Sequence, residues 1–290
     1  MSAPVKSIHP SLLFSLFLAL PALAGPRIID DPALRGSFGQ KLAKLCAKGD
    51  SPTGKELAKQ EADAPRQAKP DLPGVEAPQG YEDAVQSVAV LGRADHCGSK
   101  KCKKWHLRGT ATAWCVGADG LFVTNFHCFE RTEGKMVAIY MLDGRIAPVV
   151  EILAADPDRD VCLFRVAGKG FKPLPLGDAA PVGSAVHVIS HPDNQFYTQT
   201  SGEVARYYRH PPRGKRKAAV WMSITADYAK GSSGGPVLNS NGEVVGMVSS
   251  TRTIFYGPRK PGGDKGPPQM VIKSCVPGDA IRKLLSIGEK

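Results

Sequence analysis

Lys230-Gly231-Ser232-Ser233-Gly234-Gly235-Pro236-Val237 places serine inside a run of small residues, followed by proline and an apolar stretch. Glycine tolerates backbone angles that side chains forbid, so a glycine-flanked serine can occupy a sharp turn. Such a turn exposes the hydroxyl and aims consecutive backbone N–H groups into one small concavity. Acyl transfer needs that pairing, a nucleophile beside donors that stabilise a developing oxyanion. A Gly/Ser-rich surface loop has the same composition, so the octapeptide leaves both readings open and partners elsewhere must decide.

Two upstream stretches supply candidate partners. Leu121-Phe122-Val123-Thr124-Asn125-Phe126-His127-Cys128-Phe129 is an apolar run carrying a histidine near its end. Asp156-Pro157-Asp158-Arg159-Asp160-Val161-Cys162-Leu163-Phe164-Arg165-Val166 leads acidic residues into a strand-like run. With the three segments in the order His, Asp, Ser, the chain resembles the chymotrypsin-like serine peptidases. Thr-Asn-Phe-His-Cys is similar to that family's Thr-Ala-Ala-His-Cys or Thr-Asn-x-His. Asp-Val-Cys-Leu-Phe-Arg-Val is similar to Asp-[Ile/Leu]-Ala-Leu-Leu-x-Val, and Gly-Ser-Ser-Gly-Gly-Pro to Gly-x-Ser-Gly-Gly-Pro. The resemblance covers residues 81–287.

The resemblance implies roles. Ser233 would attack a scissile carbonyl, with His127 taking its proton and returning it to the leaving amine. Asp160 would hold the imidazole tautomer; Asp156 and Asp158 compete for that place, but Asp160 directly precedes the strand, as in the family motif. The backbone N–H groups of Gly231 and Ser233 would form the oxyanion hole. Where trypsin-like zymogens carry an Asp before the nucleophile, this chain has Ser232, so activation through a salt bridge to a freed N-terminus is not expected. Val244–Thr251 resembles the strand on which such enzymes lay the substrate, with Ser249, Ser250 and Thr251 nearest the acyl site. Val248 replaces the histidine of Glu-specific members.

Specificity has two readings. Asp227 lies six residues before Ser233, the spacing at which trypsin-like enzymes hold an acid on the floor of the primary pocket. Bacterial relatives carry a similar Ala-Asp-x-x-x-Gly-x-Ser-Gly in which the Asp is structural, and Tyr228 is large enough to fill much of a pocket. Basic specificity and a small or apolar preference both stay open. His187, His191 and His210 are poorer bases, being respectively mid-strand, in a turn before Pro192, and in a basic loop.

Before the domain, Lys6 and the apolar Ser11–Leu20 run, ending at Pro21-Ala22-Leu23-Ala24, read as a secretory leader over residues 1–24; a short membrane anchor is the alternative. Its removal lowers the formal charge of +11 by one. The charge concentrates at Lys100–Lys104 and Arg206–Lys217, read as solvated loops first and as patches for anionic polymers second. Residues 25–80 offer only a short helix near Leu34–Ala47 between prolines, hence a linker, pro-segment or docking arm. Seven cysteines are an odd number, and Cys97–Cys102 is the expected bridge in an oxidising compartment. The family's bridge from Cys128 back to the preceding strand would need Cys115, which a hairpin turning at Ala118-Asp119-Gly120 leaves out of register. No Cys/His cluster points to a metal, and no cofactor is implied.

The domain spans residues 81–290. Strands are expected at 81–91, 109–116, 121–125, 136–141, 147–154 and 161–166, then, after a Pro-rich crossing at 173–181, at 185–190, 198–206, 219–225, 235–238, 244–250 and 270–273. Pro277–Leu285 closes as a short helix. The fold class is therefore all-β: two six-stranded antiparallel β-barrels, over 81–172 and 173–290, with a C-terminal helix. The length leaves no room for the peptide-binding domain that high-temperature-requirement proteases add. The expected activity is that of a periplasmic or secreted serine endopeptidase acting on proteins or peptides. Nucleic acid is not an expected partner, no membrane span is expected once the leader is removed, and oligomeric state is open. The alternative is a catalytically silent member of the fold that binds proteins or envelope polymers through its basic loops.

Overall fold

The structure, a computed structural model, describes residues 26–72, 74–96, 99, 101–102, 104–130, 132, 134–212, 214–256 and 266–286. The expected leader over residues 1–24 and Cys97 of the expected bridge lie outside these residues. Among the described residues, twelve strands form two closed antiparallel barrels. The first comprises β1 (Val88–His96), β2 (Trp105–Gly117), β3 (Leu121–Thr124), β4 (Met136–Met141), β5 (Ile146–Asp156) and β6 (Val161–Val166). The second comprises β7 (Ala185–Ser190), β8 (Thr198–His210), β9 (Ala219–Ile224), β10 (Pro236–Leu238), β11 (Val244–Phe255) and β12 (Pro268–Pro277). The first closes in the order β1-β2-β3-β6-β5-β4, and the second repeats that order as β7-β8-β9-β12-β11-β10.

The strands read as continuous apolar runs because both faces are covered. Along β1, Ala89 and Leu91 point into the first barrel, while Val88 and Val90 point out into a second layer. That layer also receives Trp114, Met247, Ile281, Leu284 and Leu285, so it joins the two barrels and the C-terminal helix in one core. Val186, Val188, Met222 and Val237 fill the second barrel.

The barrels match the expected class, and several boundaries move. Residues 81–87 are a short helix (Tyr81–Ala84) and one 3₁₀ turn rather than the start of the first strand, because Gly80 enters with φ 87° and sets a turn. Strand β8 extends to His210, so Arg206 and Arg209 of the expected basic loop project from a strand paired with β9.

The segment before the domain is more ordered than its prolines imply. Helix α1 (Asp31–Lys48) starts with Asp30 accepting the Ala33 N–H and ends at left-handed Gly49. Helix α2 (Gly54–Asp63) begins with a Thr53/Glu56 capping box. Phe38, Leu42 and Cys46 of α1 enter the joining core, and Leu57 of α2 enters the first barrel's core. Burying each large side chain contributes about 1.5–3 kcal/mol. The Tyr81–Ala84 helix and the closing helix (Gly278–Leu284) are α3 and α4. No helix among the described residues is long and apolar enough to cross a membrane.

Six described cysteines, Cys46, Cys102, Cys115, Cys128, Cys162 and Cys275, are free thiols. Cys115 pairs in register with Phe122 and donates to the Gly117 carbonyl, 3.2 Å away, so it does not meet Cys128. The Cys102 thiol lies 3.1 Å from His106 Nε2, and its expected partner Cys97 is outside the described residues.

Candidate active site

The site is assembled where the barrels meet. His127 comes from a 3₁₀ turn just after β3, Asp160 from the tight turn between β5 and β6, and Ser233 from the loop before β10. The three lie far apart in sequence and within hydrogen-bonding distance in space. His127 Nδ1 is 3.0 and 2.9 Å from the two Asp160 carboxylate oxygens, and His127 Nε2 is 3.0 Å from Ser233 Oγ. A carboxylate only accepts, so Nδ1 carries the proton and Nε2 presents its lone pair to the serine. The Ser233 hydroxyl also reaches the Ser249 carbonyl, at 3.1 Å.

Asp160 is held from every side. It accepts the His127 backbone N–H at 3.0 Å and the Ser249 hydroxyl at 2.6 Å, while Asn125 donates to its carbonyl. Its backbone has φ 58°, a left-handed conformation that Asp adopts more readily than most side chains. Asp156 and Asp158 are engaged elsewhere. Asp156 accepts Arg66, Arg159 and two backbone N–H groups of its own turn, and Asp158 accepts the Lys217 N–H.

The nucleophile loop has the sharp geometry its glycines permit. Gly231 has φ 101°, and a side chain there would strike the His191 carbonyl at 2.3 Å. Gly234 has φ 87° and lies against the Thr112 carbonyl and Thr124 hydroxyl of the first barrel. Thr112 braces the loop in return, donating its hydroxyl to Gly231 O at 3.0 Å and its N–H to Ser233 O at 2.8 Å. Among the described residues the Gly231 and Ser233 N–H groups donate to nothing. Ser232 faces inward and accepts the Ser190 hydroxyl at 2.9 Å.

Residues 111–247 match the family model of the trypsin-like peptidase domain. The chain is 27% identical over 255 residues to a probable periplasmic serine endoprotease DegP-like of Ectopseudomonas mendocina, covering 87% of this chain and 50% of that one. It is 30% identical over 213 residues to the mitochondrial serine protease HTRA2 of Bos taurus, covering 71% and 41% respectively. Among solved structures, an HtrA-type protease, AlgW, determined with a tripeptide superposes with TM-score 0.54 at 20% identity, over 71% of this chain and 62% of that one. This chain carries a trypsin-like peptidase domain. It is homologous to the DegP/HtrA serine proteases, and it spans about half or less of the length of these two curated relatives.

Within the trypsin-like peptidase domain two depressions meet at His127. One, about 1100 Å³, is lined by Ser249, Ser250 and Thr251 together with Arg206, Arg216 and Lys273. The other, about 240 Å³, lies beside Gly231 and Ser233 and runs under Arg93 and Arg108 of the β1–β2 hairpin. Asp227 lines neither. Its side chain is 86% exposed and pairs with Lys273 Nζ at 2.7 Å. Tyr228 is buried, and its hydroxyl donates to the carbonyls of Ser250 and Ser274, at 3.2 and 2.9 Å.

Burial lowers the affinity of the His127 ring for its second proton, but the hydrogen bond and charge of Asp160 outweigh it, and the net pKa lies above the ordinary histidine value. His187 bonds Ser201, and His210 lies over Trp221. His191 is fully buried and accepts the Tyr197 N–H on Nδ1; burial pushes its pKa down to about 4, so it stays neutral. No group of three or more His, Cys, Asp and Glu among the described residues is arranged to hold a metal. Two contributors escape sequence reasoning. The sequence marks Ser249 only as part of the substrate strand, but its hydroxyl also bonds Asp160. Glu61 of α2 reaches the underside of the site beside Cys162 and Asp160, and no local pattern marks it.

Proposed function

We propose that this chain is an exported serine endopeptidase that cleaves protein or peptide substrates through Ser233, His127 and Asp160. The observation that carries this reading is the continuous hydrogen-bonded line from Asp160 through His127 to Ser233, with the unengaged Gly231 and Ser233 N–H groups beside the nucleophile. In this mechanism His127 Nε2 accepts the Ser233 proton as Oγ attacks the carbonyl carbon. The oxyanion is met by the two backbone donors, His127 then protonates the leaving amine, and water repeats the sequence to release the acyl group. Ser249–Thr251 would receive the acyl-side backbone, and the cavity under Arg93 and Arg108 the leaving side.

The primary specificity pocket is small in this reading, because Tyr228 spans from Ser250 to Ser274 where a long side chain would enter. Asp227, paired with Lys273 at the surface, is structural and recruits no basic side chain. Export to the periplasm is supported by the leader-like residues 1–24 and by the bacterial relatives being named periplasmic endoproteases.

Labelling by a fluorophosphonate probe tests the core of the reading. Wild type should label and hydrolyse peptides, while Ser233→Ala and His127→Ala should each fall to background, and the double variant no further, because the residues act as a unit. Turnover by Ser233→Ala at the wild-type rate, or a folded wild type that neither labels nor cleaves, would reject it in favour of a binding protein. A peptide library on wild type, Asp227→Ser and Tyr228→Ala tests specificity. A small-residue preference that survives the first substitution and broadens with the second is expected; a Lys/Arg preference lost in Asp227→Ser would refute it.

A further inference from the structure

The peptide between Lys230 and Gly231 carries one of the two proposed oxyanion donors. In a planar trans peptide the C=O and N–H point in opposite directions, so whatever holds the Lys230 carbonyl also aims the Gly231 N–H. That carbonyl accepts the Asp193 N–H at 2.6 Å. The carbonyl of His191 lies against the Gly231 Cα on the same side. The 191–197 loop therefore controls the orientation of this donor.

The loop does not hold its own shape cheaply. Asp193, Asn194 and Tyr197 all have left-handed backbones, with φ 47°, 64° and 58°. Such residues persist only where the surroundings over-determine them. Tyr197 is fixed by its N–H on His191, its hydroxyl on the Tyr140 carbonyl, and Tyr81 donating to its own carbonyl. The Asp193-Asn194 tip has different support. Arg35 of α1 donates to Asn194 Oδ1 at 2.6 Å, Thr110 donates to the same oxygen at 3.0 Å, and Asp31 of α1 accepts the Phe196 N–H at 2.9 Å.

We infer that the N-terminal end of α1, through Asp31 and Arg35, is a built-in positioning device for the oxyanion hole. It acts through the 191–197 loop on the Lys230–Gly231 peptide. The inference rests on the active-site reading proposed above and adds a requirement to it. A Ser at 232 leaves no carboxylate for an N-terminal ammonium to lock the nucleophile loop from within. Here a helix from before the domain supplies the constraint from outside. Asp31 and Arg35 are positioning residues, since neither touches the nucleophile.

The test compares Arg35→Ala, Asn194→Gly, their double variant and Asn194→Asp in the full chain. Arg35 is exposed, so its loss leaves the core intact. Glycine at 194 keeps the left-handed backbone and removes only the amide. Aspartate keeps an acceptor for Arg35. The first two should lower kcat by about 10- to 100-fold, part of the loss that removing one oxyanion donor outright causes, with KM changed less than about threefold. The double variant should lose no more than either single one, and Asn194→Asp should stay within about threefold of wild type. Fluorophosphonate labelling should slow in parallel.

Amide hydrogen exchange reads the same contacts without chemistry. Residues 191–197 and 229–234 should exchange several-fold faster in Arg35→Ala, with the barrel strands unchanged. Unchanged kcat and unchanged protection at 229–234 would overturn the inference, and so would a loss confined to KM or one matched by general unfolding. Protection that responds as expected in a wild type that never labels would instead count against the catalytic reading alone.

Discussion

At the residue scale the site is governed by how one carboxylate is satisfied. Asp160 receives the His127 ring, the His127 N–H and the Ser249 hydroxyl, so its charge is fixed in place and lifts the His127 pKa. A base must be neutral to work, so peptidase activity should rise with pH through a midpoint above the ordinary histidine value of about 6.5 and then level off. Asp160→Asn removes both the charge and the reason for Nδ1 to hold the proton. It should lower kcat by roughly 10³–10⁴-fold and move the remaining midpoint down. A pH–rate profile of the two proteins checks both, and a midpoint unmoved by the substitution would contradict the assignment. The placement of Asp160 beside His127, ahead of Asp156 and Asp158, was legible in sequence from the strand that follows Asp160. The Ser249 bond was not, because β11 reaches Asp160 only after both barrels have closed.

At the element scale, α2 carries a liability. Glu61 is 2% exposed, and one of its oxygens has no partner. Burial, with the charges of Glu130 and Asp160 adding, pushes its pKa up to about 9. The folded chain thus keeps a proton that the unfolded chain releases above its ordinary carboxylate pKa, so stability falls as pH rises between about 4.5 and 9. Glu61→Gln keeps the shape and removes the titration. It should stabilise the protein by about 1–3 kcal/mol at pH 8 and by much less at pH 5, read from denaturant midpoints. An equal gain at both pH values would show that the carboxyl is not the cause. Helix α1 should show the opposite: Phe38→Ala removes a ring packed directly on Gly92 of β1 and should cost about 3–5 kcal/mol in denaturant unfolding. A cost under 1 kcal/mol would mean that α1 is a dispensable arm.

At the scale of the whole molecule, a shared core holds the two barrels in register, and buried His191 packs with its ring edge-on to Tyr197 and tilted against Phe196, both members of that core. Its native pKa near 4 lies below the unfolded value, so the unfolded chain binds the extra proton between about pH 6.5 and 4. Stability is complete above that window and is lost as pH falls through it, by about 3 kcal/mol for this one group. Chemical denaturation at pH 7 and 4.5 should show the loss, and His191→Gln, which can still accept the Tyr197 N–H, should reduce it. The N-terminal segment wraps the same assembly: Pro65 accepts the Ala155 N–H, Arg66 reaches Asp156, and Ala68 donates to the Leu284 carbonyl on α4.

The barrels, and the residues that meet in the candidate site, are legible in short windows of sequence, because both are written locally. Short apolar runs between turns make closed sheets, and a glycine-bracketed serine, a histidine ending a strand and an acid starting one each keep their character without knowledge of the rest. Even so, β8 ran four residues past its expected end, since pairing with β9 continues through polar Arg209 and His210. How distant groups are satisfied follows from the closed fold alone. Asp227 carries an acid at the spacing of a specificity pocket, yet in the fold its side chain is exposed and pairs with Lys273 of β12. Residues 31–48 look like part of a proline-broken arm, yet Phe38 and Leu42 find a groove that exists only once β1, β2 and β4 are in place. Burial and hydrogen-bond partnership are properties of the closed fold, and no window of sequence contains them.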